Sequence, residues 1–120
     1  MAYYSDVAIA LKKENYEELK ARAKLLGYKI IETVDHLIEK PLTGIVILAY
    51  DYVIWDKNDK EVKFVEDFIS ELRENGKPFK TIRLGERWDD VEENISYGGI
   101  DKRDYSCDVL SVSHEIEINW

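Results

Sequence analysis

Five carboxylates fall within eight residues, at Glu86, Asp89, Asp90, Glu92 and Glu93. Side chains at that density suit three kinds of chemistry. They can form an anionic array that occupies the lysine- and arginine-rich surfaces that normally grip the closely spaced phosphates of nucleic acid. They can hold Mg²⁺ or Ca²⁺. Neighbouring pairs can also divide acid and base roles between them. The segment lacks the ligand spacing and central glycine of an EF-hand loop, so neither a metal site nor a cofactor is expected. Exposed, crowded carboxylates ordinarily just tolerate one another, so no acid/base pair is expected either. The array reading remains, with a merely solvated loop as its plain alternative.

Asp101, Asp104 and Asp108 extend the array if the Gly98-Gly99 turn folds the tail back. Trp88 and Tyr97 add rigid contact area of the kind that anchors interfaces. The predicted partner-binding set is therefore Glu86, Trp88, Asp89, Asp90, Glu92, Glu93, Asp101 and Asp104. Arg83 and Arg87 flank the segment. They either pair with Asp89 or Glu86 or, together with Arg103, clamp a phosphate in a fork-to-fork geometry. That second use would make a nucleotide-binding site.

Other catalytic signatures are absent from the sequence. His36 and His114 lie far apart, and there is no Gly-rich phosphate loop, Gly-x-Ser-x-Gly elbow or His/Cys metal spacing. The chain is not expected to be an enzyme. The single cysteine, Cys107, excludes an internal disulfide, fits a reducing cytoplasm and is expected as a small strand residue.

The net charge of −8 is unevenly spread along the chain. Residues 1–85 hold 15 acids and 14 bases, whereas residues 86–120 hold 10 acids and 3 bases. Such asymmetry attracts basic partners and speeds encounter with them; its plain alternative is solubility. No apolar run approaches the roughly 20 residues that span a bilayer. The first ten residues carry no lysine or arginine, which argues against a secretory leader.

The elements that must position these residues follow from periodicity. Tyr3 to Leu11 alternates, with Val7, Ile9 and Leu11 on one side, and predicts a strand. Tyr16, Leu19, Ala23 and Leu26 then recur at helical spacing; Asn15 and Glu18 resemble a capping box, and Gly27 is a natural stop. Residues 28–41 are ambiguous, with a short strand over 28–33 and a helical turn over 34–39 as one division. The β-branched and aromatic run from Thr43 to Trp55 predicts either a hairpin turning near Tyr50-Asp51-Tyr52 or one long bent strand. Asn58 or Asp59 caps a second helix with apolar face Val62, Val65, Phe68, Ile69 and Leu72. Phe79 to Leu84 alternates as a strand, and Tyr105 to Ile118 reads as a long strand or a strand pair. The predicted fold is a single α+β domain over residues 1–120 in the ferredoxin-like split βαβ order. Two helices would cover one face of an antiparallel sheet, with one or two extra C-terminal strands.

Two stretches together carry a resemblance. One is the opening, Ala2-Tyr3-Tyr4-Ser5-Asp6-Val7-Ala8. The other runs through Glu61-Val62-Lys63-Phe64-Val65-Glu66 to Ile82-Arg83-Leu84-Gly85-Glu86 and Asp89-Asp90-Val91-Glu92. Over roughly half its length the chain resembles small bacteriophage and prophage proteins. It departs from them around residues 28–52, where Asp51-Tyr52 stands in place of a turn glycine. The resemblance implies a phage context and a shared fold, and carries over no catalytic residue. In that context the acidic segment leads to the expectation of an anti-CRISPR-like binding protein. It would inhibit a host defence factor by occluding its basic nucleic-acid-binding surface, in the host cell cytoplasm. Its partner would be a basic host protein, not nucleic acid or a membrane, and a homo-oligomer is compatible with this. The alternatives are an oligomeric sponge for a defence nucleotide signal, built on Arg83, Arg87 or Arg103, and a structural or assembly role in the virion.

Overall fold

The computed structural model describes residues 3–87, 89–98, 104–112 and 115–119. The expected site residues Trp88, Asp101 and Arg103, as well as His114, lie outside the described residues. The chain runs β1 (Ser5–Lys12), α1 (Lys13–Leu26), β2 (His36–Lys40), β3 (Ile45–Val53), α2 (Lys60–Glu74), β4 (Pro78–Gly85), β5 (Val91–Tyr97), β6 (Leu110–Val112) and β7 (Ile116–Ile118). The first five strands form one sheet in the order β2-β3-β1-β4-β5, and every neighbouring pair is antiparallel. The last two form a separate hairpin.

The sequence of β1 explains how the layers stack. Successive strand side chains point to opposite faces. Val7, Ile9 and Leu11 therefore pack with Tyr16, Leu19 and Ala23 of α1 and with Val65, Phe68, Ile69 and Leu72 of α2. Ala8 and Ala10 face the other way, where small side chains let Cys107, Leu110 and the β6–β7 hairpin close onto the sheet beside Ile45, Ile47 and Ile82. Both helices thus cover one face, and the C-terminal segment covers the second. The segment does not extend the main sheet. The strand that does extend it is β5, formed from the second half of the acidic segment.

Several local expectations need correction. Lys12, not Asn15, stands at the start of α1, and no side chain caps that end. Asn15 is buried, and its Nδ2 has no partner among the described residues. Leu26 is exposed rather than part of the apolar stripe. The helical stripe of α2 is as expected, and Asp59 caps it by accepting the backbone N–H of Glu61 at 2.8 Å and of Val62 at 3.3 Å. The hairpin turn lies at 41–44, between β2 and β3, where Gly44 takes a φ of 69°; that left-handed geometry suits glycine. The alternative of one long strand holds for 45–53. Cys107 sits on the turn before β6, not in a strand, and burial pushes its thiol up to about 12.

If the C-terminal hairpin covers the second face, Leu110→Ala opens a cavity there. The expected loss is about 2–4 kcal/mol, read as a lower urea midpoint at constant slope. An unchanged midpoint contradicts this packing.

Candidate functional site

The strand register takes the expected carboxylate array apart. Glu92 lies opposite Arg83 and Glu93 opposite Ile82, so the two point to different faces of β5. Asp104 bonds Lys12 at 2.9 Å at the far end of β5 from Glu86 and Asp89, and Asp108 bonds Lys80, which lies opposite Ile95, at 2.8 Å. The length of β5 separates Asp104 from Glu86 and Asp89, a distance of roughly 20 Å. A continuous nucleic-acid-like array over residues 86–108 is therefore corrected to two separate groups, most of whose members have internal cations.

Asp90 and Glu92 belong to an intramolecular cluster. Arg83 Nη2 donates to Asp90 Oδ1 at 2.8 Å and to Glu92 Oε1 at 3.0 Å, while Nη1 donates to Ser5 Oγ at 3.1 Å and Asp90 Oδ2 at 3.3 Å. The Tyr3 hydroxyl also bonds Asp90. The Arg83 guanidinium holds the Asp90 carboxyl below the usual carboxylate range, helped by Tyr3. With its side chain 16% exposed and both terminal nitrogens engaged, Arg83 serves as an internal tie, to Asp90 and Glu92 rather than to the expected Asp89 or Glu86. Arg87 pairs loosely with Asp89, 3.5 Å apart. Gly85 makes the cluster possible, because a Cβ at that position would fall on the Asp90 carboxylate and the Tyr3 hydroxyl. The turn closes with the Gly85 N–H donating to the Asp90 carbonyl at 2.8 Å.

A different site assembles at the same end of the sheet, where four chain segments meet. Residues 3–6, 27–36, 51–61 and 84–91 carry Asp6, Glu32, Asp35, Asp51, Asp56, Asp59, Glu61, Glu86, Asp89 and Asp90. Their only cations are Lys29, Lys57, Lys60 and Arg87. The opposite end, made of 11–15, 38–46, 71–80, 95–98 and 104–108, carries as many lysines and arginines as carboxylates. The excess charge seen along the sequence is thus spatially an end-to-end asymmetry of the sheet.

Aromatic side chains stand among those carboxylates. Between Ser5↔Val53 and Val7↔Tyr50 the β1–β3 register shifts, so β3 carries an extra residue. Tyr52 occupies that bulge with a φ of 53°, and Asp6 Oδ1 accepts its backbone N–H at 2.9 Å. The residue is 67% exposed, and its ring stacks on Tyr4, with centroids 4.2 Å apart and planes 7° from parallel. Ile54 is half exposed beside it. Trp55 donates its indole N–H to Glu66 at 2.7 Å and leans on Tyr50. Ile54 and Trp55 border two hollows. One, of about 490 Å³, lies toward residues 29–35 and the start of α2; the other, of about 600 Å³, lies toward Tyr3, Arg83 and Glu92. In the sequence Tyr50-Asp51-Tyr52 reads only as a candidate hairpin turn or a bend within a long strand. The missing signal was Asp6, whose carboxylate fixes the bulge from another strand.

His36 Nε2 lies 2.6 Å from Asp51 Oδ2 on the exposed rim of this end. No cysteine or serine nucleophile is bonded to that pair among the described residues. No three metal-ligating side chains gather among the described residues, and none of the described helices is long and apolar enough to cross a membrane.

The ties at the two ends of the sheet can each be tested. Gly85→Ala should cost about 1–3 kcal/mol through forced displacement of Asp90 and Tyr3, measured by urea unfolding; a neutral effect contradicts the close approach. Asp104 has its carboxyl lowered to about 2 by the Ser106 hydroxyl and then by Lys12. A lowered folded value means a stabilisation present above the ordinary range near 4 and lost as pH falls through about 2. After discounting for solvent screening it should amount to about 1 kcal/mol, and Asp104→Asn should flatten that acid limb in unfolding measured from pH 5 to 2. Compared with models of protein families, with curated proteins and with solved structures, the chain matches none.

Proposed function

We propose that this chain is a non-catalytic binding protein that docks the acidic, aromatic end of its sheet onto the basic surface of a partner protein. The observation that carries the reading is Tyr52. A bulky non-glycine residue in the left-handed region costs about 1–2 kcal/mol, and such strain concentrates at functional positions. Here it holds an aromatic ring out to solvent, stacked from behind by Tyr4, with the backbone N–H held by Asp6 and with Asp51 next to it in the strand. Stacked tyrosines lose little side-chain freedom on binding and are frequent anchors of interfaces. The carboxylates around them favour a lysine- or arginine-rich counterpart.

The contact set is then Tyr3, Tyr52, Ile54, Glu86 and Asp89, with Asp90 and Glu92 acting from beneath through Arg83. The resemblance to phage proteins gives the partner a biological class: a host defence protein whose nucleic-acid-binding surface is basic, met in the host cell cytoplasm. We further read β1-α1-β2-β3-α2-β4 as the ferredoxin-like split βαβ order with β5 added at one edge. The strand order β2-β3-β1-β4 and the packing of both helices on one face support this. No observation favours the nucleotide sponge, since Arg83 is bonded internally.

The test compares tagged wild-type chain with Tyr52→Gly in capture from infected cells, followed by affinity measurement on the purified partner. Tyr52→Gly relieves the left-handed strain and loses a stack of about 0.5–1.5 kcal/mol, so unfolding stability should stay within about 1 kcal/mol. Affinity should fall by about tenfold or more. The paired variant Glu86→Gln/Asp89→Asn should weaken binding mainly at low salt. Equal affinity of Tyr52→Gly and wild type for every captured protein would overturn the proposal.

A further inference from the structure

The hollow of about 490 Å³ beside Tyr52 has walls of an unusual kind for a protein with no cationic ligand of its own there. Tyr52 and Trp55 line it together with Asp35, Asp51, Asp59 and Glu61. Three of the four carboxylates are fixed in place by backbone donors, and Asp51 Oδ2 lies 2.6 Å from His36 Nε2. Asp35 Oδ2 accepts the N–H of Asp51 at 2.8 Å, Asp59 Oδ1 accepts from Glu61 and Val62, and Glu61 Oε1 accepts from Lys29 at 2.5 Å and Ile30 at 3.0 Å. Each of these hydrogen bonds engages one oxygen and leaves the carboxylate oriented. Among the described residues no lysine or arginine forms a salt bridge with Asp35, Asp59 or Glu61; Lys29, on the rim, pairs instead with Glu32.

We propose that this groove receives an arginine side chain of the basic partner, which makes it the specificity pocket of the docking surface. The inference rests on the function proposed above and deepens it. A guanidinium suits the groove on two counts. Its plane stacks on tyrosine and tryptophan faces, and its fork of N–H donors matches carboxylates that are already oriented. An ammonium has neither the plane nor the fork. A phosphate would meet four carboxylates against one lysine and is disfavoured by charge alone.

The test is an NMR titration of the full chain with a capped Gly-Arg-Arg-Gly peptide and with its citrulline counterpart, which keeps shape and loses charge. The arginine peptide should move the Trp55 indole N–H and the Thr33 and Val62 amides in a saturable way. The citrulline peptide should bind at least tenfold more weakly. Asp35→Asn/Glu61→Gln, whose amides keep an acceptor for the same backbone donors, should also weaken arginine binding at least tenfold, while Glu39→Gln at the other end of the sheet should not. Equal binding of both peptides, or unchanged binding in the double variant, overturns the arginine pocket. Shifts confined to Tyr3, Tyr52 and Ile54 overturn the pocket and leave the docking surface standing. No saturable shift at either place counts against both.

Discussion

β1 is paired along both edges and covered on both faces, by helices on one side and by the C-terminal hairpin on the other. From Val7 to Leu11 it has no surface to offer a partner. The chemistry of this chain is therefore displaced to the ends of its sheet. The antiparallel order returns α1 to β2, β3 to α2 and β4 to β5 at one and the same end. Three connections and the N-terminal approach meet there, and each brings carboxylates.

That gathering raises the electrostatic cost of the compact state, since like charges crowd together. Part of the cost is offset where carboxylates are tied to backbone donors or to Arg83. Asp6 holds the Tyr52 N–H, Asp35 the Asp51 N–H, Asp59 the first turn of α2, and Glu61 the loop after α1. The same side chains that make the surface anionic also shape it. A structural role and a recognition role thus coincide in single residues, and removing charge while keeping an acceptor oxygen is the substitution that separates them.

The sequence was informative wherever one periodicity dominated. The face of α2 is visible in Val62, Val65, Phe68, Ile69 and Leu72, and the two-sided burial of β1 is hinted at by alanines alternating with Val, Ile and Leu. It was uninformative where a distant residue decides. The run 43–55 looks like a hairpin because Asp51-Tyr52 interrupts an apolar strand; only Asp6, some 45 positions away, turns that interruption into a bulge. The acidic run 86–93 looks like one array, yet Asp90 folds back onto Arg83 while strand alternation sends Glu92 and Glu93 apart. The linear charge count located an excess in the last 35 residues. Pairing with Lys12 and Lys80 neutralises part of it, and carboxylates from three earlier segments join Glu86, Asp89 and Asp90 to build the anionic end.

The central claim is that the excess negative charge is concentrated at the end of the sheet that carries Tyr52. It can be measured residue by residue from paramagnetic broadening of amide signals by a cationic and an anionic nitroxide of similar size. The account predicts that amides of residues 3–6, 29–36, 51–61 and 84–87 are broadened far more by the cationic probe, while those of 38–46 and 71–80 respond nearly equally to both. A uniform ratio over the two ends would contradict it.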